Sequence, residues 1–266
     1  MIPNSATPDS TTPDSTTPDS TTPNSATPNS SCAANLKHLP LQAIVFDMDG
    51  LMLDSEVLYQ RAWSQAIATL GYAVDPALYL HVVGQSTAAT EMILRETCGA
   101  SFPITTFQTQ WIQHWRTLIQ QEGVALKPGL LALLAWVEAQ GLPKVVATSS
   151  DAAEAELSLT TAGIRDRFAA VITVDQVAHG KPAPDLFLAA LDILNVEPPH
   201  ALVLEDSNAG VAAAQAAEIP VLMVPDLQPP TAATQAYASG IFTDLHQVRV
   251  WLQQLTATPF KMEIDA

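Results

Sequence analysis

The sequence has few basic residues, few cysteines and no long apolar run. Its 266 residues include 11 lysines and arginines against 27 aspartates and glutamates, so the formal net charge is −16. An acidic surface repels phosphate backbones, which argues against nucleic acid or an anionic membrane as the main partner. No apolar run reaches the ~20 residues that cross a bilayer, and no basic region followed by an apolar segment opens the chain.

Cysteine occurs only as Cys32 and Cys98, which offers no reason to expect a disulfide framework. Without a secretory signal, we expect a cytoplasmic protein, and we take a monomer as the default. Nearly half of the residues are hydrophobic, so the chain can bury a core as one large domain or two modest ones.

The first 30 residues are six pentapeptides with proline at the third position and serine at the fifth. They offer almost no apolar side chains to bury, so we predict a disordered Thr/Pro/Ser-rich tail over residues 1–38. A spacer is the simpler interpretation of this tail, and a phosphorylated or partner-binding segment is the alternative.

After Pro40, short β-rich runs alternate with stretches of helical period. The predicted strands are 42–47, 144–150, 170–175, 201–206 and 220–225, and the predicted helices are 130–140, 152–162, 184–194 and 208–218. Strand–helix alternation with nearly all-apolar strands indicates a parallel sheet covered on both faces. The predicted fold class is therefore α/β, with a Rossmann-like parallel sheet.

Residues 55–126 interrupt this alternation and contain no convincing strand. Apolar residues recur there at helical spacing, and Lys127-Pro128-Gly129 marks the return to the alternating pattern. We predict a helical insertion at 55–126 between two parts of one core, 39–54 and 127–258. The tryptophans and Met92 of the insertion are expected to pack in its interior.

Acidic, hydroxyl and basic residues stand where the predicted strands end. Asp47 and Asp49 close the first, Thr148, Ser149 and Ser150 the second, and Glu205 and Asp206 the fourth, while Lys181 lies between the third and fourth. Because ligands of an open parallel sheet bind at the carboxyl ends of its strands, we expect these groups to converge. Each signal alone is weak, since a D-x-D pair, a Glu-Asp helix start or a lone lysine is commonly structural.

Four converging carboxylates repel one another unless a cation lies among them, and hard oxygen ligands favour Mg²⁺. Such a site suits phosphoryl transfer: one carboxylate can act as a nucleophile and another as an acid and base, while a lysine neutralises charge. Gly50 allows the sharp turn after the pair of aspartates.

Four motifs together carry a resemblance to a known family. FDMDGLMLDSE, VVATSS, GKPAPDLF and VLEDSNAGVAAAQAA resemble the signature of the haloacid dehalogenase (HAD) superfamily, over roughly residues 41–250. The sequence is similar to the branch of β-phosphoglucomutase-like enzymes, and especially to its pseudouridine-5′-phosphatase-like members. The resemblance implies a HAD-like catalytic core, with the insertion at 55–126 acting as a helical cap that closes over the site.

The resemblance also implies a role for each motif residue. Asp47 would be the nucleophile, and Asp49 the general acid and base. Lys181 would bridge the nucleophile and the phosphate, which Thr148, Ser149 and the turn at Gly50 would also bind. The implied Mg²⁺ ligands are Asp47, the main-chain carbonyl of Asp49, Asp206 and Glu205, the last directly or through water. At the hinge into the cap, Asp54 is expected to have a structural, capping role, with direct contact to the substrate as the alternative.

The second aspartate of the first motif decides between branches of the superfamily. Relatives that cleave carbon–halogen or phosphonate bonds lack it, so Asp49 predicts a phosphate ester as substrate. β-Phosphoglucomutases carry arginine where this chain has Thr87 and lysine where it has Val83, so the second phosphate of a bisphosphate would lack its usual ligands. We therefore predict a phosphatase acting on a small phosphorylated metabolite. A sugar phosphomutase, or a non-catalytic module that binds phosphorylated metabolites, remains the alternative.

The substrate itself is not readable from the cap, where His81 and Arg95 are expected to be structural. The neutral polar residues of the cap suit a sugar phosphate or a nucleoside monophosphate; they are Gln85, Ser86, Thr87, Gln110 and Gln113.

Overall fold

The computed structural model of the chain describes residues 41–83 and 87–257. The predicted tail with Cys32, and the cap residues Gln85 and Ser86, therefore lie outside the described residues. Within the described ranges, every helix is too short or too polar to cross a membrane.

Six parallel strands form one sheet in the order β3-β2-β1-β4-β5-β6. The strands are β1 (Ala43–Phe46), β2 (Lys144–Ala147), β3 (Val171–Ile172), β4 (Ala201–Glu205), β5 (Val221–Met223) and β6 (Gly240–Ile241). The chain leaves β1 for β2 on one side and later returns for β4 on the other, so the strand order reverses at β1. A crevice forms at such a switch point, just beyond the carboxyl ends of the strands.

The helices fall into two groups. The cap contains α1 (Glu56–Thr69), α2 (Leu78–Val82), α3 (Thr87–Cys98) and α4 (Ile104–Glu122). The core contains α5 (Leu130–Ala139), α6 (Ala152–Thr161), α7 (Asp185–Leu194), α8 (Asn208–Ala216), α9 (Ala232–Tyr237) and α10 (Leu245–Ala257). The predicted α/β fold is confirmed, and the predicted core helices agree with α5 to α8 to within two residues at each end.

The central strand β1 shows why the predicted strands are apolar throughout. Ile44 and Phe46 belong to the apolar cluster on one face of the sheet, whereas Val45 belongs to the cluster on the other. All four residues of β1 are buried, as expected when helices cover both faces. The sheet is therefore anchored from both sides, and only the strand ends can offer polar groups to a ligand.

The cap has an aromatic interior of its own. Trp63 is buried and packs edge-on against both Tyr79 and Phe107, at ring-centroid distances of 5.9 and 5.8 Å. The prediction for the tryptophans holds for Trp63 and Trp115, which are buried, whereas Trp111 is only half-buried. The prediction for Met92 is wrong, because 58% of Met92 is exposed.

The strands are shorter than the apolar runs suggested. β2 ends at Ala147, so residues 148–150 form a loop rather than the end of a strand. The two-residue strand β6 and the helices α9 and α10 were not predicted. β6 pairs at the sheet edge with β5, and two residues are too few for an apolar pattern to indicate.

Candidate active site

The loop after β1 turns sharply back on itself and leads into the cap. Gly50 has φ +82°, and a β-carbon added there would lie 2.3 Å from an Asp206 carboxylate oxygen. Glycine is therefore needed at this position both for its backbone conformation and for space. The parallel pairing of β1 with β4 places their ends, and the acidic residues that follow, side by side, and the turn leaves room there for Asp206.

Asp47 and Glu205 lie on either side of the Lys181 ammonium group. Lys181 Nζ donates to Asp47 Oδ1 at 2.5 Å and to Glu205 Oε1 at 2.6 Å, and also to the Ala147 carbonyl oxygen at 3.0 Å. All three side chains are at least nine-tenths buried, so the ammonium is held by two charges and one dipole. The predicted association of Lys181 with the first aspartate is thus present in the geometry.

The other oxygen of Glu205 is also occupied. Glu205 Oε2 accepts hydrogen bonds from the main-chain N–H groups of Asp206 and Ser207 and from Ser207 Oγ, each at 2.9 Å. Ser207 in turn caps α8 by accepting from the Gly210 N–H. A β-carbon at Gly210 would lie 1.8 Å from Glu205 Oε1, so α8 can start here only with glycine at that position. The start of α8 thus orients the carboxylate that holds Lys181.

Asp49 occupies a different environment from Asp47. Ser55 Oγ donates to Asp49 Oδ1 at 2.6 Å, and Ser150 Oγ donates to Asp49 Oδ2 at 2.8 Å. Burial raises the pKa of Asp49, and these two hydroxyl donors oppose the rise. Burial raises the pKa of Asp47 as well, so the two aspartates differ in their donors: neutral hydroxyls hold Asp49, and an ammonium group holds Asp47.

Three carboxylates, from Asp47, Glu205 and Asp206, place oxygens within 4.8 Å of one another. When all are ionised, Lys181 leaves this group with an excess of two negative charges, which one divalent cation would balance. Burial, opposed by Lys181, raises the pKa of Asp47 to about 8, and burial beside Glu205 raises that of Asp206. This crowding of desolvated carboxylates fits a hard divalent cation such as Mg²⁺.

A cavity of about 480 Å³ opens above these groups. Thr148, Ser149 and Lys181 line it together with Asp47, Asp49 and Asp206. Thr148 Oγ1 accepts from the Ser150 N–H at 3.1 Å, which tightens the loop after β2 around the cavity. The structure therefore places the predicted site residues around one cavity. Glu205 and Gly50 do not line this cavity but contact residues that do.

The hinge into the cap is tied to the core by an ion pair. Lys127 Nζ lies 2.7 Å from Asp226 Oδ1 and 3.8 Å from Asp54 Oδ1. The predicted capping role of Asp54 is wrong, because Ser55 occupies the N-cap of α1 and makes no side-chain capping bond. Asp54 instead pairs with the lysine at which the chain re-enters the core.

A second cavity, of about 410 Å³, lies between the cap and the loop after β2. It shares Asp49, Glu56, Val83 and Ser149 with the first cavity, so the two adjoin. Of the neutral polar cap residues that the sequence offers, Gln110 and Gln113 line neither cavity. Aromatic side chains line the second cavity instead, along with Glu154 of α6.

Two hydroxyls hold Asp49: sequence reasoning missed Ser55, and it placed Ser150 at the converging strand ends without a role. Ser55 directly follows the first motif's last aspartate, and Ser150 ends the second motif. The sequence therefore shows both residues within motifs, but it does not show that both contact Asp49. Arg95 agrees with its expected structural role, since it donates to the Ala100 carbonyl oxygen at 2.7 Å.

The chain is similar to known proteins over most of its length. A family model described as haloacid dehalogenase-like hydrolase matches residues 44–224. A phosphatase of phosphorylated carbohydrates from Thermotoga maritima is 30% identical, over 67% of this chain and 82% of its own. A protein from Drosophila melanogaster named as a probable pseudouridine-5′-phosphatase is 35% identical, over 68% and 80%.

The fold is also shared with a solved structure. A β-phosphoglucomutase from Clostridium difficile superposes with a TM-score of 0.65, covering 81% of this chain and 96% of its own at 20% identity. At that identity the likeness concerns the fold alone.

Proposed function

The chain belongs to the haloacid dehalogenase-like hydrolase family, and from that premise we propose that it is a Mg²⁺-dependent phosphatase. Its substrate would be a small phosphate monoester, such as a sugar phosphate or a nucleoside monophosphate, and its reaction would pass through an aspartyl-phosphate. We further expect it to act as a monomer in the cytoplasm.

The observation that carries this proposal is the contrast between the two aspartates of the first motif. Asp47 is held by the Lys181 ammonium, which keeps one carboxylate oxygen in place, whereas Asp49 is held by neutral hydroxyls. Two carboxyl groups in environments this different can take the separate roles of nucleophile and acid.

In the first step, an Asp47 carboxylate oxygen attacks phosphorus, and the bond from phosphorus to the ester oxygen breaks. Asp49 gives its proton to that oxygen, so the alcohol leaves neutral. In the second step, water attacks the phosphorus of the aspartyl-phosphate and gives a proton to Asp49. The bond from phosphorus to Asp47 breaks, which restores both carboxyl groups and releases inorganic phosphate.

The other residues would bind and orient the phosphate. Lys181 would contact both Asp47 and a phosphate oxygen, while Thr148 Oγ1 and the Ser149 N–H would bind further oxygens. Asp47, Asp206 and the Asp49 carbonyl would hold Mg²⁺, with Glu205 as a direct or water-mediated ligand. The ion would neutralise charge on the transferring group.

The lining of the cap favours a phosphatase over a sugar phosphomutase. A mutase must bind a second phosphate in the cap, yet none of the described residues that line the two cavities outside the Lys181 site is a lysine or an arginine. Val83 lines both cavities with an apolar side chain.

The test is phosphate release from a panel of sugar and nucleoside monophosphates, with and without Mg²⁺. We expect wild-type release to need Mg²⁺ and to fall by about 10³-fold or more in Asp47→Asn. Asp166→Asn, an exposed change of the same kind outside the site, should release phosphate at the wild-type rate.

Release that survives Asp47→Asn would contradict the aspartyl-phosphate route. If no ester releases phosphate, interconversion of β-glucose 1-phosphate and glucose 6-phosphate, primed by a bisphosphate, would identify a mutase instead.

A further inference from the structure

The cap-side cavity of about 410 Å³ is where the alcohol part of the substrate must lie. It adjoins the phosphate-side cavity through Asp49, the proposed proton donor to the leaving oxygen. An ester whose phosphorus faces Asp47 and whose bridging oxygen faces Asp49 therefore directs its alcohol part into this cavity. The chemistry of the cavity walls then decides which alcohols fit.

Aromatic rings make up much of those walls. Five of them line the cavity: Tyr59, Trp63, Tyr79, Phe107 and Trp111. The rings are fixed by contacts among themselves and with the main chain; Trp111 Nε1, for example, donates to the Tyr59 carbonyl oxygen at 3.1 Å. Rigid aromatic faces attract apolar groups and also organic cations, through the negative potential over each ring.

The charged residues of the lining are all acidic. They are Asp49, Glu56, Glu91 and Glu154, and no lysine, arginine or histidine occurs among the described residues of the lining. A negatively charged alcohol part would therefore meet unfavourable charge on entering.

Among the described residues, two carboxylates of this lining accept no side-chain hydrogen bond, those of Glu91 and Glu154, and Glu154 is the one that the core contributes, from α6. Asp49 accepts from two serines and Glu56 accepts from the Tyr79 hydroxyl at 2.8 Å, whereas the Glu154 carboxylate accepts only from the main-chain N–H of Asp151 and from no side chain in 41–83 or 87–257. Arg116 attracts it electrostatically without lining the cavity, and burial beside Asp151 and Asp49 raises the pKa of Glu154 to about 7.

We propose that the preferred substrate is a phosphate monoester whose alcohol carries an organic cation, a protonated amine or a quaternary ammonium. The aromatic rings would contact the apolar body and the cation, and the Glu154 carboxylate would balance its charge. The inference rests on the proposed phosphatase function and narrows its substrate class.

The test compares three benzyl phosphates that differ at the para position. The substituents are trimethylammonio, its neutral isostere tert-butyl, and carboxylate, so that size is nearly matched while charge changes. Methyl phosphate, which leaves the cavity empty, is the reference ester. Assays at pH 8 with Mg²⁺ keep Glu154 mostly ionised, and kcat/KM is measured for each ester.

We expect the cationic ester to exceed its neutral isostere by about tenfold in kcat/KM, with the carboxylate ester the poorest of the three. In Glu154→Gln the ratio of cationic to neutral ester should fall to about threefold or less. Glu156→Gln, on the same helix but paired with Arg165 at the exposed surface, should leave that ratio unchanged.

Two failures are distinguishable. If the three benzyl esters are hydrolysed with no preference for the cation, or if Glu154→Gln leaves the ratio unchanged, the inference is wrong and the phosphatase function stands. If no ester releases phosphate, methyl phosphate included, the proposed function is wrong and the inference falls with it.

Discussion

The core side and the cap side of the active site consist of different kinds of residue. On the core side, charged groups hold one another: Lys181 lies between Asp47 and Glu205, and the start of α8 orients Glu205. On the cap side, aromatic rings pack against one another, and no side chain of the described residues donates a hydrogen bond to the Glu154 carboxylate. The core side can therefore keep its geometry without a ligand, whereas the cap side offers a shape and a charge that a ligand must complete.

This difference separates chemistry from selection. Phosphoryl transfer needs reacting groups held in place, which buried and mutually bonded charges provide. Selection among alcohols needs a surface that discriminates by fit and charge, for which aromatic walls are suited. Substitutions on the core side should thus reduce the rate for every ester, and substitutions on the cap side should change the order of preference among the esters.

The largest effect expected on the core side beyond the nucleophile is that of Asp49→Asn. Loss of the acid should lower kcat for methyl phosphate by about 10² to 10⁴-fold. With p-nitrophenyl phosphate, whose leaving group needs no proton, the variant should release about one equivalent of nitrophenol quickly and then turn over slowly, because water activation is also lost. Rapid mixing followed by absorbance measures that burst.

An Asp49→Asn variant with equal losses on both esters and no burst would contradict the acid and base assignment. Asp151→Asn serves as a control, since Asp151 caps α6 nearby without contacting the reacting groups.

A smaller effect is expected when a substitution in α8 displaces Glu205, which holds Lys181. Gly210→Ala would put a methyl group 1.8 Å from Glu205 Oε1, so Glu205 must move and Lys181 with it. Overpacking of this kind costs about 1–3 kcal/mol of unfolding free energy, and we expect a loss of about tenfold or more in kcat for all esters alike.

Urea unfolding and phosphate release measure these two effects. Ala212→Ser, on the exposed face of the same helix, should change neither quantity. A Gly210→Ala variant that changes the ranking of esters while its kcat stays high would break the separation between core and cap.

The junction between the two regions depends on Lys127. Lys127→Met would remove the partner of Asp226, whose side chain is only 15% exposed, and should destabilise the chain by about 2 kcal/mol. Adding Asp226→Asn should restore part of that loss, because the unpaired charge disappears. A double-mutant cycle on the free energy of unfolding gives the coupling, and additive losses would contradict the pairing.

The smallest effect concerns the edge of the core away from the site. Arg167 and Lys144 hold the pKa of Glu138 down, at about 2 against an ordinary 4.5. A lowered folded-state pKa stabilises the protein above pH 4.5, and that stabilisation is lost as the pH falls from about 4.5 to about 2. Because Glu138 is 40% exposed, solvent screening keeps this contribution small.

Glu138→Gln should therefore be slightly less stable than wild type at pH 6, and the difference should vanish near pH 2. Urea midpoints across this pH range measure it. A difference that grows toward low pH would have the wrong sign for this ion pair.

Sequence patterns predicted the parts of the fold that depend on local order. The apolar run of β1, the helical period of 55–126 and the order of polar residues at strand ends are properties of short stretches, and the structure agrees with each. Sequence patterns did not predict elements that are short or that lie at the edge of the sheet. β6 has two residues at the sheet edge, and the exposed Met92 shows that helical spacing does not say which face a neighbouring helix covers.

The chemistry at the strand ends could be predicted from the sequence because strand order and polarity are local properties. The pairing of those groups could not, since Lys181 lies 134 residues from Asp47, and Ser150 lies 101 residues from Asp49. Contacts over such separations depend on the order of strands in the sheet and on how the cap folds back. The sequence by itself determined a phosphoryl-transfer site at the end of a parallel sheet. The tertiary structure alone decided which donor holds each carboxylate and that aromatic rings and Glu154 line the adjoining cavity, because packing between distant segments creates that cavity.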